Sequence, residues 1–381
     1  MATRKILLAG LIVTLFALLL SGCSALIERH VLDVRPHVPS PASDFDADDA
    51  IVIMSRGELR QTIWGMLEER VEHRLFRIHN IDIDDVRDVL HEVSLEPLAA
   101  YAISVSMPHI LVERPGLLEI ELTIDYQKTA EQISGVRFVR DAELARVALG
   151  RMLREGQTYL AMLSPANIAN ISLLEDIILS YYYSAALNVV ILPEIHITLY
   201  GSGNQRIAAV ELDFGVDPAA FSQMHTDLHT AADVLLEEMP HNLTIPQQII
   251  WLAENLAAHV NKIEPPHTEE APALWRTAYG ALVLHDASSE GFARGMQALL
   301  SLLDIETIVL RGERDEVFHA WNLVNIDGHY YHIDISMLAL LDASEVLFVS
   351  DELMMFQNGY SWDVSLYPRA DGILNYFDFL E

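Results

Sequence analysis

The sequence has little cysteine and few basic residues. Cys23 is the single cysteine in 381 residues, so the chain cannot form an internal disulfide or supply the paired thiolates of many zinc sites. Lys and Arg number 24 against 55 Asp and Glu, which gives a net charge of −31. Phosphate backbones repel such a surface, so we expect no nucleic-acid partner. Anionic lipid headgroups are equally unsuited, so any membrane contact must be non-electrostatic.

Patterns for cofactors and metals are also missing. The sequence contains no Rossmann or Walker pattern and no complete set of metal ligands, so we expect no cofactor and no metal. Asp44, Asp46 and Asp48 have the spacing of a calcium loop. However, Asp49 stands where such a loop needs glycine, and Ser55 where it needs its closing glutamate, so these aspartates are interpreted as part of a solvated linker.

Two further short patterns have competing interpretations. The glycine-rich segment 201–206 (GSGNQR) is typical of a phosphate-binding loop only if a helix follows it. Alternating strand patterns flank this segment, so a hairpin turn is predicted instead. His225 and His229 are four residues apart on a predicted helix and suit a metal, but no third ligand stands nearby. A solvated helix face is therefore the preferred interpretation.

What the chain has in abundance is apolar sequence. Hydrophobic residues make up 51% and charged residues 21%, which is typical of a globular protein. The length allows two or three domains with a buried core. The order of the helix and strand patterns predicts an α+β fold.

The amino terminus has the pattern of an export signal. Arg4 and Lys5 precede an apolar run over residues 6–20, which is short for a membrane-spanning helix. The run ends in Leu20-Ser21-Gly22-Cys23, which resembles a bacterial lipobox. The resemblance implies a signal peptide over residues 1–22, a lipid on Cys23, and anchoring at the extracytoplasmic face of a cell membrane. An ordinary signal peptide and an uncleaved anchor are the alternatives.

The mature chain predicted from this cleavage begins with a tether. Removal of residues 1–22 takes away two basic residues and no acid, so 22 basic residues would remain against 55 acidic ones, a net charge of −33. Residues 23–50 contain several prolines and aspartates, a composition that favours a solvated linker. Acyl chains stabilise such an anchor by about 0.8 kcal/mol per buried methylene.

Residues 51–217 are predicted to contain two α/β units. The first covers about 59–126 and the second about 144–216, and each has two helix patterns followed by strand patterns. Met66-Leu67 matches Met152-Leu153, and Glu121 matches Glu211. The two units are therefore interpreted as a repeat, with two unrelated α/β segments as the alternative.

The region from residue 218 to 381, with a core at about 245–368, contains a set of spaced motifs. They are TAYGAL at 277–282, EGFAR at 290–294, HAWNLV at 319–324 and DGHYYHID at 327–334. These motifs resemble the bacterial transglutaminase-like domain, a member of the papain-like superfamily. The resemblance implies a helix at the nucleophile position packed on an antiparallel sheet, with strands at 306–311, 317–326 and 329–335.

The resemblance also implies a catalytic triad with one substitution. The family's histidine falls on His319, its orienting aspartate on Asp334, and its nucleophilic cysteine on Ser289. A thiol is readily activated by an imidazolium and a helix amino terminus, whereas a hydroxyl needs full general-base help. Serine is also a favoured helix N-cap, so a structural role for Ser289 is expected. Met337 departs from the family's usual tryptophan, a second departure in the cleft.

Two functions follow from this resemblance. The first is a catalytically silent module that binds a peptide, a protein or a cell-wall partner. The second is a serine-dependent amide or ester hydrolase, or acyl transferase, that uses Ser289, His319 and Asp334. A third alternative places the function in the two α/β units, with the carboxy-terminal domain as a scaffold.

Overall fold

A computed structural model describes residues 49–264 and 274–380. The predicted signal peptide, the predicted lipidation site Cys23 and all but the end of the predicted tether lie outside the described residues. From Ile51 onward the chain belongs to a single structural unit. None of the helices in the described part is long and apolar enough to cross a membrane.

The first α/β segment lies between Ile51 and Tyr126. Its elements are β1 (Ile51–Ile53), α1 (Arg56–Glu69), β2 (His73–His79), α2 (Ile83–Leu95), α3 (Pro97–Ala102), β3 (Ile103–Val105), β4 (His109–Arg114) and β5 (Leu117–Tyr126). β1 pairs with β2 in parallel, and β2, β3 and β4 all pair with β5 in antiparallel orientation. The predicted helices and closing strand of this segment are therefore present.

The second segment ends at Asp213. Its elements are α4 (Ala130–Ser134), β6 (Arg137–Phe138), α5 (Ala142–Arg154), β7 (Tyr159–Pro165), α6 (Ile171–Ser184), β8 (Glu194–Tyr200) and β9 (Gln205–Asp213). β6 pairs with β7 in parallel, and both β7 and β8 pair with β9 in antiparallel orientation. Residues 201–204 connect β8 to β9, so the predicted hairpin turn is confirmed.

The two segments share one strand order. β1, β2, β5 and β4 correspond to β6, β7, β9 and β8 in sequence order, strand direction and pairing. Ile51 lies beside Phe76, and Arg137 lies beside Met162, 86 positions later in both strands. This common topology supports the interpretation of a repeat, whereas descent from a duplication stays a prediction.

One residue match that suggested the repeat does not hold. Glu121 pairs with Leu75, whereas Glu211 pairs with Tyr159, which follows Leu75 by 84 positions rather than 86. The two glutamates therefore occupy different register positions. The reason is that the number of residues along the chain between the paired strands differs in the two segments. A comparison of the amino-acid letters alone does not reveal this difference.

Side-chain caps define where most of these helices begin. An N-cap oxygen accepts a backbone N–H that the first helical turn leaves without a partner. The residues that do so are Ser55, Asp82, Thr129, Asp141, Asn170 and Asp217. The acidic composition of the chain thus contributes directly to its local structure.

The carboxy-terminal region carries the motifs. Its helices and strands are α7 (Pro218–Glu238), α8 (Ile245–His259), β10 (Asn261–Lys262), β11 (Asp286–Ala287), α9 (Ser289–Leu302), β12 (Thr307–Arg314), β13 (Val317–Ile326), β14 (His329–Ile333), α10 (Ala343–Val346), β15 (Leu347–Val349), α11 (Asp351–Asn358) and β16 (Tyr360–Ser361). Short 3₁₀ turns cover Leu274–Arg276, Ile335–Met337 and Tyr376–Phe379.

The central element of this region is a five-stranded sheet in the order β15-β14-β13-β12-β16, with antiparallel pairing throughout. α9 packs on β12 and β13, where Ala293 contacts Val309 and Ala320 in a small buried cluster. The α+β class is thus confirmed, and a helix lies on an antiparallel sheet as expected. The predicted strands at 306–311, 317–326 and 329–335 correspond to β12, β13 and β14.

Two details of this region are not evident from its motifs. The stretch that includes TAYGAL contains a 3₁₀ turn at Leu274–Arg276 and a single π-helical turn at Gly280–Leu284. A Cβ on Gly280 would lie 2.2 Å from the carbonyl oxygen of Leu274, so this close backbone approach needs glycine. One cluster of buried residues extends from Val139 to Phe348 and so includes residues on both sides of position 217/218, where the domain boundary stays a prediction.

Candidate functional site

Ser289 lies at the first position of α9 rather than at its N-cap. The cap is Ser288, whose extended backbone precedes the helix and whose Oγ accepts the N–H of Gly291 at 3.5 Å. The expected capping role of Ser289 is therefore wrong. Two adjacent serines satisfy the same sequence preference, and only the backbone conformation distinguishes them. The hydroxyl of Ser289 is left for other contacts.

The Ser289 hydroxyl is held by the neighbouring strand. Its Oγ accepts the backbone N–H of Ala320 at 3.3 Å, and the residue is partly buried. No hydrogen bond joins Ser289 to His319 within the part of the chain that the structure describes. His319 nevertheless lines the same cleft as Ser289. The structure thus brings both residues to one site without the contact of a poised nucleophile and base.

His319 and Asp334 form a close buried pair. The Nε2 of His319 lies 2.6 Å from the Oδ2 of Asp334, and both residues are buried. His319 comes from β13, and Asp334 follows directly after the antiparallel β14, so the sheet brings them together. The predicted neighbourhood of these two residues is present, although their catalytic roles stay a prediction.

Asp334 is surrounded by hydrogen-bond donors. Its carboxylate accepts Tyr360 Oη at 2.6 Å and Ser336 Oγ at 2.8 Å in addition to the imidazole. Burial alone would raise the pKa of Asp334, but the His319 ring and these hydrogen bonds outweigh it and hold the pKa below its usual value. Because the carboxylate is ionised, the Nε2 of His319 carries its proton, and Nδ1 is left as the basic nitrogen.

A second buried histidine lies behind the first and had no signal in the sequence. His332 is fully buried; its Nδ1 accepts the indole N–H of Trp321 at 2.9 Å, and its Nε2 lies 2.9 Å from Asp351 Oδ1. Burial lowers the pKa of His332, and Asp351 opposes this only in part. His332 is therefore a neutral link that fixes the tryptophan of the HAWN motif.

Arg294 on α9 was also missed. It is fully buried, and its guanidinium donates to the carbonyl oxygens of Tyr182 at 2.6 Å and Val189 at 3.0 Å. The guanidinium carbon also lies 3.5 Å from the centre of the Tyr182 ring. The sequence shows Arg294 on the polar side of an amphipathic pattern, but the second α/β segment covers that side. The helix that carries Ser289 is thereby joined to this segment.

Ser289 and His319 face a cleft of about 540 Å³. Its lining residues are Lys262, Ile263, Glu264, Arg276, Ser288, Ser289, Arg314, Asp315, Val317, Phe318, His319 and Met337. Three of them are cationic and two are anionic, in a chain with a net charge of −31. The cleft is therefore the place where the acidic composition is locally reversed.

Met337 forms part of the wall of this cleft. The residue is 3% exposed, and its Sδ lies 3.3 Å from both Lys262 Nζ and Arg314 Nη1. A thioether is a weak acceptor, so these two cations gain little from it. The departure from the expected tryptophan thus puts two positive groups against one sulfur atom.

No group of three or more potential metal ligands is clustered among residues 49–264 and 274–380. His225 and His229 lie with ring centroids 4.6 Å apart on α7. Both are half-buried, and the buried Nε2 atoms of both lack a hydrogen-bond partner within the described residues. The expected solvated face is thus partly covered. Burial lowers the pKa of His225, and the second ring adds to this.

Comparison with known proteins finds no matching family model and no matching curated protein. Solved structures do match in part. One is described as a TGase, with 12% identity and a TM-score of 0.27 over 56% of this chain and 60% of that one. Another is the "Putative Cysteine Protease from Cytophaga hutchinsonii", with 13% identity and a TM-score of 0.26 over 44% of this chain and 70% of that one.

A third structure is the "putative protease from Parabacteroides distasonis", with 9% identity and a TM-score of 0.21 over 68% of this chain and 39% of that one. The chain thus spans less than two thirds of the TGase and of the Parabacteroides protein. With TM-scores of 0.21 to 0.27, these similarities carry no argument about the activity of this chain. The activity of this chain must be inferred from its own cleft.

Proposed function

We propose that the protein is a membrane-anchored envelope lipoprotein whose transglutaminase-like domain binds a peptide in the cleft between α9 and β13 and does not turn it over. The partner is a peptide, a protein or the peptide part of the cell wall. The observation that carries this proposal is the position of the Ser289 hydroxyl, which accepts the Ala320 N–H and has no hydrogen bond to His319.

The substitution of serine for cysteine supports a silent site. A thiol pKa of about 8.5 is within reach of a nearby imidazolium and a helix amino terminus, which together produce a thiolate before substrate arrives. A hydroxyl is not ionised by these means and depends on proton transfer during attack. The chemistry therefore needs the contact with His319 that Ser289 lacks here.

The shape and lining of the site support binding. The cleft volume of about 540 Å³ is in the range of small-ligand sites. Val317 and Phe318 are exposed on its rim, with 64% and 44% of their surfaces accessible. Apolar groups beside cationic ones are suited to an extended peptide that presents both kinds of side chain.

A direct test measures peptide binding by calorimetry with the purified full-length chain in detergent. Short peptides should bind, and Val317→Trp should weaken the binding of every peptide, because the larger side chain fills the cleft mouth. Val317 is exposed, so the substitution should not disturb folding. Val234→Trp, on an exposed position of α7, is the matched control. Equal binding by wild type and Val317→Trp would refute the proposal.

The lipid anchor has its own test. Cells that express the chain are grown with an alkyne-tagged palmitate, and the chain should become labelled and sediment with membranes. Cys23→Ala removes the only thiol, so the label should be lost. Labelling that persists in Cys23→Ala would contradict lipidation at this residue.

The alternative is a serine-dependent hydrolase or acyl transferase, and one observation favours it. Because Ser288 provides the cap, Ser289 is free of that role. It lies in the same cleft as His319, whose Nε2 is 2.6 Å from the Oδ2 of Asp334. In such a reaction Ser289 Oγ would attack a carbonyl carbon while His319 Nδ1 accepts the hydroxyl proton. His319 would then return the proton to the leaving group, and water would release the acyl group in a second cycle.

A further inference from the structure

Two basic residues of the cleft, Lys262 and Arg314, lie farther from their nearest carboxylates than a closely paired surface arginine such as Arg56 does. Arg56, on the surface of α1, lies 2.8 Å from Asp85 and 3.2 Å from Glu92. In the cleft, Lys262 Nζ is 3.7 Å from the Glu264 carboxylate, and Arg314 Nη2 is 3.8 Å from that of Asp315. Both distances exceed a hydrogen bond.

The carboxylates near these two cations are also well hydrated. The side chains of Glu264 and Asp315 are 80% and 72% exposed, whereas those of Lys262 and Arg314 are 28% and 23% exposed. Exposed carboxylates at such distances neutralise a partly buried cation weakly, because water screens them. Lys262 and Arg314 have thus lost part of their hydration without gaining a close anionic partner.

The donors of Lys262 and Arg314 converge on one point. Each reaches the Sδ of Met337 at 3.3 Å, so the Lys262 Nζ and Arg314 Nη1 atoms are at most about 6.6 Å apart, twice that contact distance. The Nε of Arg314 is buried with no hydrogen-bond partner in the described part of the chain. Two like charges this close, with an unsatisfied donor, have much to gain from a shared anionic acceptor.

The fold holds this pair beside the Ser289 end of α9. β10 ends at Lys262 and pairs with Ala287 of β11, two residues before Ser289. Arg314 ends β12 and pairs with Val317, two residues before His319. The two cations therefore belong to the same cleft as Ser289 and His319 and come from separate strands of the chain.

We propose that Lys262 and Arg314 form a carboxylate-binding subsite, so that the peptide held in the cleft is one with acidic groups. This inference rests on the proposed function of the cleft as a peptide-binding site. A planar carboxylate accepts from the guanidinium fork and from the ammonium at once, which fits a glutamate or aspartate side chain or a free carboxyl terminus. The excess of acid elsewhere on the chain repels the same ligand, so binding is confined to this cleft.

The test compares two peptides by calorimetry on the full-length chain in detergent. Acetyl-Ala-Glu-Ala-Glu-Ala with a free carboxyl terminus should bind at least about tenfold more tightly than acetyl-Ala-Gln-Ala-Gln-Ala-amide. The preference should weaken as salt rises, because charge–charge attraction is screened. A free-acid version of the neutral peptide shows whether the side chains or the terminus supply the carboxylate.

Charge-removing variants locate the subsite. Lys262→Gln and Arg314→Gln should each reduce the preference for the acidic peptide by about threefold, and the two substitutions together should abolish it. Lys262→Arg and Arg314→Lys keep the positive charge and should retain most of the preference for the acidic peptide. These variants distinguish an effect of lost charge from an effect of lost structure. The matched control is Arg140→Gln, because Arg140 lies outside the cleft and its side chain is 73% exposed. This variant should leave the preference for the acidic peptide unchanged.

The outcomes distinguish the carboxylate-binding subsite from the proposed peptide-binding function on which it rests. If Val317→Trp weakens binding but the acidic peptide has no advantage, or keeps its advantage in the charge-removing variants, the carboxylate subsite is wrong and the peptide site stands. If no peptide binds, or Val317→Trp has no effect, the proposed function fails and the subsite fails with it. Loss of the acidic preference in the Gln variants alone supports both.

Discussion

The hydroxyl oxygen of Ser289 accepts the backbone N–H of Ala320 at 3.3 Å, which ties the start of α9 to β13. The same oxygen would have to attack a substrate if the chain were a hydrolase. His319 is adjacent to Ala320 in sequence, yet its ring contacts Asp334 instead. The structure therefore keeps His319 and Asp334 together while the serine makes a structural contact.

The assignment of the cap to Ser288 predicts opposite residue preferences at two adjacent positions. At an N-cap, glycine costs a few tenths of a kcal/mol and alanine about 1 kcal/mol. Inside a helix the order reverses, because glycine is less favourable than alanine by up to about 1 kcal/mol. We expect Ser288→Gly to be more stable than Ser288→Ala, and Ser289→Ala to be more stable than Ser289→Gly, in urea unfolding. The same order at both positions would contradict the assignment.

Arg294 should be among the most sensitive residues of α9. Arg294→Ala removes two hydrogen bonds to buried carbonyl oxygens and opens a cavity, so we expect a loss of about 3–5 kcal/mol in the free energy of unfolding. Arg369→Ala, on a side chain that is 83% exposed, should change stability by no more than about 0.5 kcal/mol. Similar effects of the two substitutions would show that Arg294 does not join α9 to the second α/β segment.

The buried His332 predicts a pH dependence of stability. Because burial lowers its pKa in the folded chain, the unfolded chain binds more protons as pH falls below about 6.5. The stabilisation contributed by neutral His332 is therefore fully present above about pH 6.5. It declines as the pH falls from there to the lower pKa of His332 in the folded chain. Urea unfolding of wild type and His332→Gln should show a constant difference at pH 7–8 and a relative loss for wild type toward pH 5. A difference that does not change with pH would contradict this.

Ser289→Cys tests whether the rest of the site is intact. If His319 and α9 retain their effect, the new thiol should have a pKa below about 8.5, measured as the midpoint of its alkylation rate against pH. Adding His319→Ala should raise that midpoint toward 8.5. The experiment is done in Cys23→Ala, so that the new thiol is the only one. Equal midpoints with and without His319 would show that more than the nucleophile has been lost.

Much of the carboxy-terminal fold was implied by the resemblance of its spaced motifs to a known domain family; the strands themselves do not alternate between buried and exposed residues. The pairing of His319 with Asp334 was implied by the same resemblance, and two adjacent antiparallel strands bring the two residues together. The cap was misplaced by one residue because Ser288 and Ser289 have the same chemistry. Arg294 was beyond prediction, since a polar residue on an amphipathic helix is expected to face water, and its partners lie more than 100 positions earlier.

The charge pattern of the cleft was equally inaccessible to sequence reasoning. Lys262 and Arg314 are separated by 52 positions, and their proximity depends on where β10 and β12 end around Met337. An overall charge of −31 predicts an anionic surface and hides a local exception. In the two α/β segments, by contrast, periodicity predicted the long helices and the closing strands, whereas the other strands and the order in which they pair were not predicted.

The most direct measurement of the central claim is labelling of the purified full-length chain with a serine-directed fluorophosphonate, followed by identification of the labelled residue. A nucleophilic serine would form a bond to phosphorus and expel fluoride, with its proton passing to His319. We predict that wild type and Ser289→Ala remain equally unlabelled at high probe concentration. Labelling of wild type at Ser289 that disappears in Ser289→Ala and His319→Ala would contradict the account and establish the chain as a serine-dependent enzyme.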